Sequence, residues 1–320
     1  GVSAFLYGSH HHTRGDLSRF LLTRGIWLVC VEIVFVSLAW NFNVLGENYL
    51  LWLQVIWILG LSMIVLSGLV WLPRLAIAVI ALVLILGHNL LDGVQPAQGD
   101  ASMLWQVLHI QGPLPDFDLF NAFVLYPLIP WPGVMALGFV LGQIFLGDPK
   151  VRVRQLIGLG ATITVAFFVF RYFQLYGEPN GWVVHPTIPA TLVDFFNVTK
   201  YPPSLQYLMM TLGPILLLLG LLDHARGRIA NIFLTYGRVP FFFYVIHLYV
   251  IHLCAIALGW ALGFAVSDMF VFFFYYPPDF GISLGVVYAL WVAIVVALYP
   301  LCHWFAGVKA RRKDWWLSYL

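Results

Sequence analysis

The stretch RLAIAVIALVLILGHNLLD, residues 74–92, reads as one membrane crossing with both ends labelled: Arg74, an unbroken apolar run, then His88, Asn89 and Asp92. A run close to the roughly 20 residues that a bilayer requires, with a base at one end and an acid at the other, predicts a transmembrane helix entering from the cytoplasm at Arg74. Working outward, seven more hydrophobic stretches fall at 20–40, 50–72, 119–146, 155–176, 203–222, 232–262 and 281–305. Alternating the loops puts Arg14, Arg19, Arg24, Lys150, Arg152, Arg154, Arg226, Arg228, Lys309, Arg311, Arg312 and Lys313 on the same side as Arg74. That side is cytoplasmic by the positive-inside rule. The opposite loops carry Glu47, Asp92, Asp100, Asp116, Asp118, Glu178, Asp194, Asp268 and Asp279, with Lys200 the one clear base among them.

The composition, 62% hydrophobic and 9% charged over 320 residues with 13 Trp and 15 Tyr for interfacial belts, leaves no room for a soluble domain. Strands of a membrane barrel alternate over about ten residues, whereas these runs are continuous and twice as long. The expected fold is therefore all-α: a polytopic helix bundle of about eight full transmembrane helices, forming one domain over residues 1–320. Residues 1–8 (GVSAFLYG) read as the last turns of a further, partial helix, so chain is expected upstream of them.

Several function classes drop out. The net charge is only +2 and the bases form no stripe, which excludes a nucleic-acid partner. Cys30, Cys254 and Cys302 sit inside apolar runs and read as small buried hydrophobes. His10, His11 and His12 adjoin Arg14 and Arg19 and read as a solvated basic patch, so no metal is expected.

Ionisable groups at bilayer depth are costly, so each calls for a partner and suggests a function. Glu32, Arg171, His247 and His252 are of this kind, and His88 with Asp92 closes the span at 74–92. On an α-helix His88 and Asp92 are i,i+4 neighbours, and a carboxylate there can orient the imidazole as a general base. His247 and His252 stand about 140° apart around their helix, so one of them is structural. His247 has Tyr244 one turn earlier on its own face and is the better candidate. Arg238, just before Pro240, is either a snorkelling anchor or a phosphate ligand.

Two proline-rich segments point to polar surroundings. YPLIPWPG (126–133) frees carbonyls that only a wet cavity or protein can satisfy. TKYPPS (199–204) starts a helix whose first amides favour anions near Lys200 and Ser204. The long loops 95–118, with Trp105 and His109, and 177–203, with Trp182, His185 and Lys200, read as caps.

Taken together, GHNLLDG (87–93), YPLIPW (126–131), KYPPSLQYLMMTLGP (200–214) and GRVPFFFYVIH (237–247) resemble bacterial members of the heparan-α-glucosaminide N-acetyltransferase catalytic-domain family. The resemblance implies a membrane-embedded acyltransferase of a bacterial cytoplasmic membrane that moves acetyl from cytoplasmic acetyl-CoA to an amine or hydroxyl of a sugar-like acceptor at the other face. The family's first span, with a histidine at its outer end, has no counterpart here, so the domain is expected to lack it. On this reading His88 and Asp92 deprotonate the acceptor. Tyr244 or Asn89 steadies the oxyanion, and the pantetheine arm runs toward His247. Arg19, Arg24, Arg238, Lys200 and Ser204 serve the cofactor, with Arg suited to phosphate. The partners are then the bilayer and a small-molecule or glycan acceptor, with homo-oligomerisation left open. The alternative is a transporter or flippase-like permease for a small anionic or lipid-linked solute. Short cytoplasmic loops, no internal repeat and no phosphate loop stand against it. A scaffold subunit without chemistry would tolerate Leu or Phe in place of the buried histidines.

Overall fold

The computed structural model describes residues 1–10, 13–43, 49–94, 100–114, 121–312, 314 and 317. Glu47, Asp116, Asp118, Lys313, His11 and His12, singled out above, lie outside them. In chain order the elements begin with α1 (Val2–Ser9), α2 (Arg14–Val31), a π-helical turn (Glu32–Val36), α3 (Ser37–Asn41) and β1 (Leu50–Leu53). Next come α4 (Val55–Leu69), α5 (Arg74–Gly87), a 3-10 turn (His88–Leu91), α6 (Asp100–Leu108), β2 (Gly112–Pro113) and β3 (Asn121–Val124). Then follow α7 (Trp131–Leu141), α8 (Pro149–Tyr172), α9 (Ile188–Phe196), α10 (Leu205–Leu221), α11 (Arg228–Arg238), α12 (Pro240–Ala261) and α13 (Leu284–Arg311).

The helices Arg14–Asn41, Arg74–Leu91, Pro149–Tyr172, Pro240–Ala261 and Leu284–Arg311 are long and apolar enough to cross a membrane. The protein is an integral membrane protein. Each of the eight expected stretches contains an apolar helix, but Val55–Leu69, Trp131–Leu146 and Leu205–Leu221 are shorter. The reasons are local. β1 takes the start of the second stretch, and β3 with a turn through Pro127 and Pro130 takes the start of the fourth. In the sixth, Pro202 and Pro203 delay the helix until Ser204 caps it. The small strands depart from a purely helical expectation; β2 pairs antiparallel with β3 through Gly112↔Val124 and Pro113↔Phe123.

The chain forms two compact units. The first comprises Gly1–Val29, Leu53–Pro115 and Phe123–His224. Within it α5 shows how the sequence aims its polar end. Ile77, Ala81, Ile85 and His88, spaced at helical period, are buried, whereas Leu75, Val79, Val83, Leu86 and Leu90 are exposed. In water the exposed stripe would be costly; against acyl chains it is at home, and burying it would gain nothing. Helix contact here instead depends on small residues. A Cβ on Gly160 of α8 would stand 2.5 Å from the Leu217 amide nitrogen of α10, and one on Gly213 of α10 would stand 2.8 Å from the Thr164 nitrogen of α8. The two backbones therefore touch directly.

The second unit comprises Cys30–Trp52, Asp116–Ala122 and Ala225–Leu320. Phe242 of α12 stacks on Phe305 of α13 at 4.1 Å, and the Tyr236 hydroxyl of α11 donates to the Val295 carbonyl at 2.5 Å. Glu32 is buried in the π-helical turn, where the Tyr249 hydroxyl also finds the Phe35 carbonyl at 2.7 Å.

Candidate functional site

In the first unit, α5 ends by tightening into the 3-10 turn His88–Leu91. Residues three apart eclipse in a 3-10 helix. Asn89, rather than His88, therefore meets Asp92, and its Nδ2 donates to Asp92 Oδ2 at 2.9 Å. The other carboxylate oxygen, Oδ1, lies 3.1 Å from Nε2 of His109, which follows α6. The expected i,i+4 pair of His88 with Asp92 is thus replaced by a pair between Asp92 and His109. His109 is packed beside Trp105 with ring centroids 5.5 Å apart, and its Nδ1 is buried without a hydrogen-bond partner among the described residues.

His88 is buried, with Nδ1 2.9 Å from the Ile85 carbonyl and Nε2 2.8 Å from the Pro203 carbonyl. Both partners are acceptors, so neither nitrogen offers a lone pair to a ligand in this geometry. The ring instead ties the end of α5 to the turn before α10. Asn89 Oδ1 adds a second tie by accepting from the Leu205 amide at 2.9 Å.

The start of α10 differs from its reading as an anion site. Leu205 N goes to Asn89, Gln206 N to the Gly177 carbonyl and Tyr207 N to the Ser204 hydroxyl. With those amides committed, no ready cradle remains. Ser204 is buried and its hydroxyl also donates to Glu178 at 2.6 Å. Glu178 further accepts from the Thr199 amide at 2.9 Å and the Thr199 hydroxyl at 2.5 Å. Lys200 is exposed, with its Nζ 5.0 Å from the Tyr201 ring and 6.0 Å from that of Tyr126.

Loop 177–203, expected as a cap, is tied to the end of α8. The buried Arg171 donates to the carbonyls of Asn180, Asp194, Phe195 and Asn197 at 2.7–3.2 Å. Trp182 Nε1 returns a bond to the Arg171 carbonyl at 2.8 Å. The Asp194 carboxyl is held below the usual carboxylate range by the Val183 amide first and by His185 second. Beneath the cap lies a cavity of about 340 Å³ lined by Asn89, Asp92, His109, Ile110, Gln111, Pro179, Thr199, Tyr201 and Pro202.

The second unit holds a different cavity, an apolar groove of about 1000 Å³ between α11, α12 and α13. His247 lines it together with Phe243, Ile251, Leu258, Leu290, Trp291 and others. The His247 ring stacks on Phe243 at 5.1 Å, and its Nδ1 lies 2.5 Å from the Tyr244 carbonyl and 3.1 Å from that of Phe243. The hydrogen therefore sits on Nδ1, which leaves Nε2 as the acceptor. Tyr244 touches His247 with ring centroids 5.5 Å apart, as their i,i+3 spacing predicts. His252 is the structural histidine: its two nitrogens lie 2.9 Å from the carbonyls of Ala39 and Met269.

The arginines expected to serve a cofactor lie apart in the chain. Arg19 is exposed on α2, and Arg24, also on α2, lies over the Phe20 ring at 5.6 Å. Arg238 is exposed at the end of α11. Among the described residues no group of three His, Cys, Asp or Glu is arranged for a metal ion. In the sequence His109 falls inside the long loop 95–118 and Glu178 among the loop charges; neither belongs to a periodic segment that would aim it.

The family described as heparan-alpha-glucosaminide N-acetyltransferase, catalytic, matches residues 1–172, more than half of the chain. The chain belongs to this family. The match includes the segments at 87–93 and 126–131 and ends before those at 200–214 and 237–247. No curated protein and no solved structure matches the chain.

Proposed function

We propose that this family member takes an acetyl group from acetyl-CoA and places it on an amine or hydroxyl of a sugar-like acceptor held in the capped cavity. The observation that carries the reading is the Asp92 carboxylate, partly exposed on the wall of a cavity that mixes polar and apolar groups and steadied by two donors. At about 340 Å³ the cavity is at the small end of ligand sites, which suits a single ring. Its carboxylate, two amides, threonine and tyrosine face supply the mixture of hydrogen-bonding groups and apolar surface that a hydroxylated ring requires.

The acceptor heteroatom attacks the thioester carbon, and its proton passes to a free lone pair of Asp92. The C–S bond breaks, and the proton returns to the leaving thiolate. Asn89, which keeps one Nδ2 hydrogen free of Asp92, supplies the oxyanion donor. His88 holds the wall that carries Asn89. Lys200 offers a cation beside Thr199 and Tyr201, while Ser204 supports the site through Glu178. Arg19 and Arg24 on α2, or Arg238 on α11, take the CoA phosphates. His247 meets the pantetheine arm, and its Nε2 is the nitrogen free to accept a hydrogen bond. On this reading the basic loops and the C-terminus are cytoplasmic, in a bacterial cytoplasmic membrane. The three shorter apolar helices complete about eight crossings.

Membranes carrying the protein, labelled acetyl-CoA and a panel of amino and neutral sugars test this. Transfer should occur and should fall in both Asp92→Asn and His247→Ala. Undiminished transfer in both variants eliminates the assignment.

A further inference from the structure

The pair formed by Asp92 and His109 is turned inside out compared with a dyad whose imidazole meets the substrate. The Asp92 side chain keeps 27% of its surface and lines the cavity, whereas that of His109 keeps 2%. His109 Nε2 lies 3.1 Å from Asp92 Oδ1, and Nδ1 is enclosed with no partner among the described residues. A hydrogen on Nδ1 would be a buried donor with no acceptor among the described residues. The ring hydrogen therefore belongs on Nε2 and the imidazole is neutral. Its ring neighbours agree, since Trp105 at 5.5 Å and His88 at 6.2 Å, edge to face, offer no acceptor for a second hydrogen.

We infer that His109 is a positioning residue: a neutral Nε2–H donor that, with Asn89 Nδ2, fixes the Asp92 carboxylate against the acceptor and carries no proton itself. The inference rests on Asp92 being the base of the proposed transfer. The proton count closes without the histidine. Acceptor hydrogen goes to an Asp92 lone pair that neither donor occupies and then to the departing thiolate, while the His109 hydrogen never leaves Nε2. Asn89 fits the same function, because its Oδ1 is anchored by the Leu205 amide and its Nδ2 is thereby aimed at Oδ2. Two neutral donors anchored in different elements leave the carboxylate little freedom to rotate.

A role of this kind needs a donor at one point in space and no titrating ring. His109→Gln puts an amide N–H near the position of Nε2, whereas His109→Met fills the space without a donor. In the membrane assay His109→Gln should stay within about threefold of the parent. His109→Met should lose about 10–100-fold in kcat, as lost supporting contacts do, with KM for acetyl-CoA unchanged. Equal loss in Gln and Met variants would make His109 a proton carrier and overturn the inference. So would full activity in His109→Met beside an inactive Asp92→Asn. Full activity in Asp92→Asn would instead overturn the reading beneath it, and this inference with it. Nitrogen-15 histidine spectra of the protein in nanodiscs, with His109→Gln used to assign the signal, give a readout apart from turnover. The neutral Nε2–H tautomer is expected at neutral pH; an imidazolium or an Nδ1–H form overturns the inference whatever the assays show.

Discussion

The capped cavity of the first unit and the apolar groove of the second each carry a histidine, and the two are restrained in opposite ways. His109 is held by a side chain 17 positions earlier, whereas His247 leans on carbonyls three and four residues back in its own helix. The first arrangement fixes chemistry to a fold, because it exists only when α6 and the end of α5 are both in place. The second survives wherever α12 is helical. Contact with another element is thus the mark of a group whose direction matters, and own-helix bonding is what any imidazole in lipid will find for itself.

That contrast breaks most easily at the carboxylate. Asp92→Asn should lower acetyl transfer by about 10²–10⁴, the usual range for a general base, or about 3–5 kcal/mol in the barrier. His247→Ala should cost far less, about tenfold, as the loss of one contact to the donor arm. Steady-state rates in membranes decide, and a larger loss at His247 would reverse the ranking of the two cavities.

Stability should follow next. His88→Leu leaves the Pro203 carbonyl without its donor and should cost about 1–3 kcal/mol, and His252→Leu should do the same for Ala39 or Met269. His247→Leu should stay within about 0.5 kcal/mol of the parent, because its ring sets free no buried partner in another element. Thermal unfolding in one detergent compares all three. A large loss for His247→Leu would show that the groove holds its histidine more firmly than its contacts indicate.

The smallest effect is acid loosening of the cap. The folded-state pKa of Asp194 lies below its unfolded value, so its contribution is complete above about pH 4 and is lost as pH falls through the folded value. Trp182 emission should therefore stay flat through the neutral range and change only under stronger acid. Asp194→Asn should remove that change.

Much of this was legible in the chain. The span at 74–92 could be followed from Arg74 to Asp92, because apolar period and end charges are local properties. The inward aim of His88 follows from the same period, and His247 beside Tyr244 follows from helical spacing. What could not be read was set by a change of helix type or by pairing across a loop. The tightening at His88–Leu91 exchanged His88 for Asn89 as the neighbour of Asp92, and no pattern within 95–118 marked His109 as the second donor. The amides at the start of α10 read as free because their partners, Asn89 and Gly177, lie far away in sequence. Three of the expected spans are shorter apolar helices where prolines or strands begin inside hydrophobic runs, a boundary that hydropathy alone does not see.

The Arg171 guanidinium gathers carbonyls from four residues between Asn180 and Asn197. Releasing that one guanidinium would set all four carbonyls loose together, so this part of the loop holds or yields as a piece. Its far edge is pinned separately, because the Thr199 amide and hydroxyl both rest on Glu178, and a molecule arriving there meets a wall fixed at two points.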